Sequence, residues 1–557
     1  AGTKWNFAAI PETGLGIQTS PKYLGNSNSE TIQAAVKFAP SDAFDLSYKF
    51  YWVDTDATPE ATGNTGVDLA TLQSFFVGSP QAVAFGQAVA TALTGYPTFL
   101  KRPKALNNWY TMPMHLRNEG HIVTANLRIS DALTAKNVFG YLKSRYNSPG
   151  NQLDGLGGVN VFGMPFIVLA NGTVGKTKQW SNELQFNYQS DLLTATAGYL
   201  HYDIDFQHGG PLYVPVTPSF TLYPGYAVPR SPGSTPSLNS NKSDAVYAQV
   251  EAHVTERLDL VGGIRYTWDK KSGSASFPGL PASFTYKDDR ATYALGVNYK
   301  ASDDVLAYAK YSTAYVAGGS YAGVPWDPET AKSWEAGVKA DFLDNRLRTN
   351  LAVFTVKYSG LQVTASGRLQ AALSNRPELA QLPQLMFNAG DARAKGFELE
   401  VTALPTDGLT LGGGLGYTDF KYTKTDPLKI GPKDLVRPLI RPKWTANLYA
   451  QYDSQPVIGD AYVSLRIDGN YVGPYETVAL DPSPALAGLG HVSGTWTLNT
   501  RAALSKLDLA GLETEIALWA RNLNNDRNIA YSFTAAFANN ATYNRARTFG
   551  VDVTFGF

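Results

Sequence analysis

The segment HYDIDFQH, residues 201–208, holds the residue types best suited to binding chemistry in this sequence. Alternate side chains of an extended strand share a face, so His201, Asp203 and Asp205 lie together, with about 7 Å between neighbours. Imidazole and carboxylate groups at that spacing suit a cation or a hydroxyl-rich ligand. A solvated strand end is the alternative interpretation. The six histidines include no pair at helical metal-ligand spacing, so no metal site is predicted.

Two glycine-rich segments imitate nucleotide-binding loops. ANGTVGKT has Ala170 where a phosphate-binding loop needs its first glycine, and the following KQWSNELQFNY has the pattern of a strand rather than a helix. LGGGLGYTDF lies inside a predicted strand, with no helix after it. A nucleophile elbow is also missing. The sequence therefore predicts no catalytic residues, no cofactor and no enzymatic activity.

The composition narrows the class of protein. The chain has 47 basic and 47 acidic residues, so no net charge favours nucleic acid as a partner. The absence of cysteine removes thiol catalysis and disulfide scaffolds. No apolar run is long enough for a membrane helix, yet the chain has 32 Tyr, 26 Phe and 10 Trp. Aromatic side chains concentrate at membrane interfaces, and a β-barrel in a membrane satisfies both observations.

The elements that would position these residues are strands. The chain repeats two strands joined by a short turn, followed by a longer polar connection. Alternation is clean: Trp334, Val338 and Phe342 share one face of a strand, whereas Glu335 and Lys339 share the other. The predicted hairpins are 182–188 with 193–202, 244–254 with 258–268, 292–299 with 305–315, and 334–342 with 347–358.

The last stretch, RARTFGVDVTFGF, alternates strictly up to its final aromatic residue. Phe549, Val551, Val553, Phe555 and Phe557 share one face. A regular strand at a terminus must be held in a sheet, because free termini fray. It is either an edge strand or the strand that closes a barrel.

Strand number and loop asymmetry decide between soluble and membrane folds. We count roughly twenty strands, many of ten or more residues, which suits a tilted span across a bilayer. A propeller would show a repeated blade sequence instead. The predicted fold is all-β, a transmembrane antiparallel β-barrel, with a short helix or folded lid in TLQSFFVGSPQAVAFGQAVATAL. The predicted long connections are 53–118, 147–178, 205–242, 360–392 and 423–436.

Several segments carry a family resemblance: SNELQFNYQSD, DAVYAQVEAHVTERLDLVGGIRYTWDKK, AYVAGGSYAGVPWDPETAKSWEAGVKADFLDNRL, NAGDARAKGFELE, TLNTRAAL and ALWARNLNND. In order and spacing they resemble TonB-dependent outer-membrane transporters over nearly the whole chain. The resemblance implies a barrel of about 22 strands with a plugged lumen. It also implies that Phe557 is an assembly signal read by the barrel assembly machinery.

Alignment to that family backwards from Phe557 places the hairpin at Pro40 between the fourth and fifth strands, and AGTKWNF in the third. We therefore expect residues 1–557 to form a C-terminal barrel domain with roughly 20 of the strands. The plug domain and the segment that TonB grips are expected outside this sequence. One local departure is Val316, where family members often carry arginine before a glycine pair.

The resemblance implies an active importer in the outer membrane of a Gram-negative bacterium. Its expected partners are the TonB-ExbB-ExbD energy-transducing complex, outer-membrane lipid and an extracellular solute, a ferric siderophore ranking first. Importers of carbohydrate, cobalamin, haem or aromatic compounds remain alternatives, as does a passive porin. We expect ligand contacts at the outer mouth, from Tyr321, Trp326, Tyr475 and Arg441. Loop packing and the membrane-interface belt are the alternative roles for these residues.

Overall fold

Nineteen long strands form one antiparallel sheet that curls into a barrel. The computed structural model describes residues 3–6, 16–76, 79–152, 155–209, 212–213, 237–274, 280, 283–365, 367–382, 385–481, 483–535 and 537–556. The barrel strands are β1 Ser27–Ser41, β2 Phe44–Ala57, β3 Met114–Arg128, β4 Leu133–Gln152, β5 Ala170–Gln189, β6 Leu193–Gly209, β7 Ser237–Thr255, β8 Leu258–Ser274, β9 Ser283–Ser302, β10 Val305–Val316, β11 Glu329–Phe342, β12 Leu347–Ala365, β13 Leu385–Thr406, β14 Leu409–Thr425, β15 Trp444–Asp453, β16 Tyr462–Val472, β17 Thr495–Leu509, β18 Leu512–Arg521 and β19 Thr548–Gly556.

Each barrel strand pairs with the next one in chain order. Connections alternate between tight turns, such as 342–347, and long segments, such as 57–114. Large apolar side chains cover the outer face; Trp334 is 61% exposed and Leu295 is 59% exposed. Since such side chains are stable on a surface only against lipid or a partner, the barrel and its loop asymmetry confirm the predicted fold.

The last strand is held in the sheet by pairing with its neighbour in the chain, as its alternation predicts. β19 pairs with β18 from Thr548, opposite Arg521, to Gly556, opposite Glu513. Every residue of β1 is exposed, and β19 is nearly as exposed. Among the described residues no paired position joins these two end strands. Phe557, the expected assembly signal, lies outside the described residues.

The N-terminal segment corrects one expectation. Lys4–Asn6, within AGTKWNF, does not belong to the barrel sheet but forms a separate antiparallel pair with Ile17–Thr19. Trp5 is fully buried, and its ring packs 5.1 Å from Trp109 and 4.4 Å from Tyr110. The indole thus gains burial against a long connection instead of facing lipid from a third strand.

The first long connection folds as the helical spacing predicts. It contains α1 Leu69–Ser74, capped by Asp68, and α2 Pro80–Leu93, capped by Ser79. Their apolar faces form a satellite core with residues of the 152–170 connection and with Phe537. Three outer connections therefore share one core. Among the described residues, no helix has the length and apolarity to cross a membrane.

Short elements complete the outer connections. A third helix, α3 Gly367–Ser374, is followed by the 3-10 helix Pro377–Gln381, and a second 3-10 helix spans Pro484–Leu486. The remaining strands are Gly63–Val67 with Ile529–Ala535 and Ala538–Tyr543, Val159–Val161 with Met164–Phe166, Gly319–Tyr321 with Val324–Trp326, Tyr475–Glu476 with His491–Val492, and Leu212–Tyr213 beside β5.

Candidate solute-binding site

A small hairpin between β10 and β11 carries two of the predicted contact residues. Gly319–Tyr321 pairs with Val324–Trp326, and the turn uses positive φ angles of 49° at Ala322 and 75° at Gly323. Gly319 lies directly beneath the indole of Trp326, because a Cβ there would lie 2.5 Å from Trp326 Cζ2. The glycine therefore allows the indole to pack flat against its own hairpin.

Two side chains, one from β8 and one from β12, hold the base of this hairpin. Lys271 Nζ on β8 donates to the carbonyls of Gly318 (2.9 Å) and Ala317 (3.3 Å). Gln362 Nε2 on β12 lies within 3.2 Å of the carbonyls of Val316 and Ala317. These contacts tie the hairpin to the barrel wall on both sides, so the two aromatic rings are held at a fixed place.

A cavity of about 350 Å³ lies beside the hairpin. Burial raises the pKa of Tyr321 above its ordinary value. Trp326 Nε1 is buried and has no hydrogen-bond partner among the described residues, which leaves a donor for a ligand. The cavity is lined by Phe206, Asn239, Asn241, Lys271, Phe284, Gly319, Ser320, Tyr321, Trp326, Thr364, Leu385 and Met386.

Tyr475 and Arg441 lie on two other outer connections that touch each other: the Ile440 amide donates to the Glu476 carbonyl at 2.8 Å. The Tyr475 hydroxyl donates to the Ala530 carbonyl, and burial raises the pKa of Tyr475. The Arg441 guanidinium lies 5.4 Å from the ring centre of Phe420 and has no carboxylate partner among the described residues. Tyr475 therefore packs between loops, whereas Arg441 keeps its charge available.

A charged cluster fastens these two connections. Arg437 Nη2 lies 2.6 Å from Asp481 Oδ1, and Arg437 Nη1 lies 3.7 Å from Glu476 Oε2. His491 Nδ1 lies 2.8 Å from Glu476 Oε1. Because Arg437, Glu476 and Asp481 are only partly exposed, the attraction between their charges is less screened than at an open surface.

His201, Asp203 and Asp205 share one face of β6, as their spacing predicts, but it is the outer face: Asp203 is directly opposite Trp180, which is 40% exposed. His201 Nδ1 lies 2.7 Å from Asp244 Oδ1, and Asp203 lies 2.8 Å from Lys242 Nζ. Within the described residues no cluster of three or more metal-ligating side chains exists. The structure thus brings Tyr321 and Trp326 together, and separates these three residues from them.

Sequence reasoning did not find Phe206, Phe284 and Lys271, which line the cavity from β6, β9 and β8, respectively. Each lies an odd number of residues from an exposed, lipid-facing side chain of the same strand: Tyr199, Tyr293 and Trp268. Parity alone gives Phe206 and Phe284 an inward direction. The signal was therefore present, but it required knowing that these strands extend past the membrane.

Comparison with known proteins assigns the chain to a family. The family model for the TonB dependent receptor-like β-barrel matches residues 52–525. The chain belongs to the TonB-dependent receptor family. Family members are receptors and transporters rather than enzymes, and their barrels lie in the outer membrane of Gram-negative bacteria, which is the location of this barrel.

The sequence identity between this chain and individual relatives is low. The chain is 29% identical over 240 residues to the metal-pseudopaline receptor CntO of Pseudomonas aeruginosa, covering 41% of this chain and 31% of that protein. It is 27% identical over 314 residues to the probable TonB-dependent siderophore receptor PiuA of Acinetobacter baumannii, covering 53% and 35%. The matched region thus spans about a third of each of these relatives.

Solved structures confirm the fold over almost the whole chain. The ferric yersiniabactin uptake receptor FyuA of Yersinia pestis aligns with a TM-score of 0.69 and 15% identity, covering 96% of this chain and 72% of that one. The siderophore receptor PiuA of Acinetobacter baumannii aligns with a TM-score of 0.68 and 16% identity, covering 96% and 76%. At these identities the likeness establishes the architecture of this TonB-dependent receptor, and the solute must be inferred from the site.

Proposed function

We propose that this TonB-dependent receptor binds a ferric siderophore at its outer mouth and imports it to the periplasm. The observation that carries the proposal is the cavity beside Trp326, with aromatic walls and an indole N–H that has no partner within the described residues. Flat aromatic walls suit the rings of an iron chelate, and the N–H suits its oxygen ligands. Relatives whose names include metal-pseudopaline and siderophore receptors support the same solute class.

In this proposal Arg441 supplies charge complementarity. Its guanidinium has no carboxylate partner among the described residues and lies beside an aromatic ring. A guanidinium binds carboxylate and catecholate oxygens in a planar, bidentate manner that lysine cannot reproduce. Tyr321 and Trp326 would hold the rings of the chelate while Arg441 attracts its negative charge. The predicted contacts of Tyr475, His201, Asp203 and Asp205 remain predictions, of which the tightly bonded Tyr475 has the least freedom to contact a ligand.

Import further requires energy, and we propose that TonB-ExbB-ExbD supplies it by acting on a plug in the lumen. The inner wall offers polar contacts for such a plug; for example, Glu335 accepts from Tyr308 (2.9 Å) and lies 3.0 Å from Lys310. The barrel domain over residues 1–557 would then be the passive wall of the transporter. Outer-membrane lipid and the barrel assembly machinery are proposed as its remaining partners.

The binding proposal is tested with the purified receptor and three iron chelates: a ferric tris-catecholate, a ferric hydroxamate and a ferric carboxylate. Trp326→Phe removes the N–H and leaves a smaller aromatic ring in its place, and should weaken binding of the recognised chelate about tenfold. Trp334→Phe is the matched control, because Trp334 faces lipid and is 61% exposed. Equal affinities of both variants and the wild type for every bound chelate would contradict the site.

Transport is tested in cells by uptake of radioactive iron as the recognised chelate. Uptake should require both the receptor and a functional TonB, and should stop when the proton gradient is removed. Uptake that continues without TonB would favour the passive porin. Binding of haem, cobalamin, a carbohydrate or an aromatic compound instead of any iron chelate would redirect the proposal to that solute.

A further inference from the structure

Lys271 is the one charged side chain that lines the cavity beside Trp326, among the residues that the structure describes. It lies on β8, directly opposite Asn241 on β7 and Tyr286 on β9, and it is only partly exposed. The other described lining residues are aromatic, apolar or neutral and polar. The described cavity wall therefore carries a positive charge and no negative charge.

The ammonium of Lys271 has no ion-pair partner in the described part of the chain. Its Nζ donates to the carbonyls of Gly318 (2.9 Å) and Ala317 (3.3 Å). An ammonium has three N–H groups, so the third has no acceptor within the described residues. A cation that is partly withdrawn from water without a counter-ion is unfavourable. This site therefore favours a ligand with negative charge.

Two carboxylates near Lys271 are engaged elsewhere. Asp269 accepts a hydrogen bond from the Tyr315 hydroxyl at 2.5 Å, and Asp288 Oδ2 lies 2.7 Å from Arg290 Nε. Burial lowers the pKa of Lys271, and the charges of Asp269 and Asp288 offset only part of that effect. These two carboxylates therefore do not take the place of an anion in the cavity.

The same ammonium holds the hairpin that carries Trp326. The Tyr286 hydroxyl on β9 accepts from the Gly318 amide at 3.2 Å, so β8 and β9 together fix the base of the hairpin. Trp326 Nε1 is buried and has no acceptor among the described residues. One charged donor and one neutral donor therefore line the same cavity, at positions that the hairpin base fixes relative to each other.

We propose that Lys271 selects the negatively charged class of ferric chelate, by donating its third N–H to an anionic oxygen of the ligand. This inference rests on the proposed import of a ferric siderophore. A ferric tris-catecholate carries net negative charge because each catecholate is a dianion, whereas a ferric tris-hydroxamate is neutral because each hydroxamate is a monoanion. The cavity should therefore prefer the tris-catecholate and reject a ligand with positive charge.

The test measures the affinity of the purified receptor for each of these two chelates by quenching of tryptophan fluorescence. The wild type should bind the tris-catecholate at least about tenfold more tightly, because hydrogen bonds between charged groups are the stronger ones. Lys271→Met removes the charge and keeps a side chain of similar length. It should weaken binding of the tris-catecholate about tenfold and binding of the tris-hydroxamate less than about threefold.

Lys270→Met is the matched control. Lys270 is the next residue of the same strand, but it lies on the outer face, directly opposite Lys242 on β7 and Lys287 on β9. Its replacement should therefore change neither affinity. Unchanged heat-modifiable migration in gels verifies that both variants are folded.

A pH series separates a charge contact from a merely structural role. In the wild type, affinity for the tris-catecholate should fall as the pH rises through the lowered pKa of Lys271, because the neutral amine no longer attracts the anion. Lys271→Arg should keep its affinity over the same range, since a guanidinium stays charged. Other charged or titratable groups face Lys271 in both proteins and cannot cause this difference; those described are Asp269, Asp288, Arg290, Tyr286 and Tyr321.

Three results would overturn the inference and leave the proposed function standing. They are equal affinities of the wild type for the two chelates, a wild-type preference in Lys271→Met, and coincident pH profiles of the wild type and Lys271→Arg. If no iron chelate binds the wild type, the proposed function itself fails, and the role of Lys271 fails with it.

Discussion

Phe85 in α2 tests whether the outer connections form a separate cooperative unit above the barrel. Its side chain is fully buried and packs 5.4 Å from Phe76 and 5.2 Å from Phe166, measured between ring centres. Phe85→Ala removes a ring from a core shared by three connections. Substitutions of this kind cost about 3 to 5 kcal/mol when the cavity does not collapse. At about 3 kcal/mol, amide exchange of α2 through local opening should accelerate about 100-fold.

The assay is hydrogen exchange with peptide-level mass spectrometry on the folded barrel in detergent. Val83→Ala on the same helix is the control, because Val83 is 43% exposed and should change exchange of α2 by less than about threefold. Exchange of the barrel strands should be the same in both variants and the wild type. The reasoning is refuted if Phe85→Ala accelerates α2 no more than Val83→Ala does, or if barrel amides accelerate equally, since the connections and the barrel would then be one unit.

Three more perturbations follow from the same outer region. Gly86→Ala should also destabilise α2, because the new Cβ would lie 2.6 Å from Phe76 Cβ, and hydrogen exchange of α2 would detect it. Arg437→Ala, which breaks two ion pairs between connections, should speed limited proteolysis of 426–443, whereas Arg346→Ala at a more exposed pair should leave it unchanged. Burial raises the pKa of Asp526, but hydrogen bonds from Asn544 and other groups outweigh burial and lower the pKa overall. A carboxylate whose pKa is lowered by folding stabilises the protein above its unfolded-state pKa of about 4, and this stabilisation is lost as the pH falls through the folded-state pKa. Acid should therefore loosen 522–547 in the wild type more than in Asp526→Asn.

The sequence predicted the membrane-level part of the strands well and their outer extensions poorly. The predicted 182–188 lies within β5 Ala170–Gln189, and the predicted 258–268 lies within β8 Leu258–Ser274. At membrane level one face must be apolar, so a period of two is visible. Beyond that level both faces meet water, and polar residues such as Lys176 and Lys271 show no period. The extensions were therefore invisible, although they carry part of the cavity lining.

The candidate site shows the same limit. The aromatic types and the loop position of Tyr321 and Trp326 were readable from the sequence, but the residues that hold their hairpin were not. Lys271 and Gln362 act from strands far along the chain, through backbone carbonyls that carry no sequence signal. For His201 the shared face was predictable, whereas its outward direction depends on the register opposite Trp180 and its neighbours. Long-range register, rather than local pattern, decides the chemistry available to each side chain.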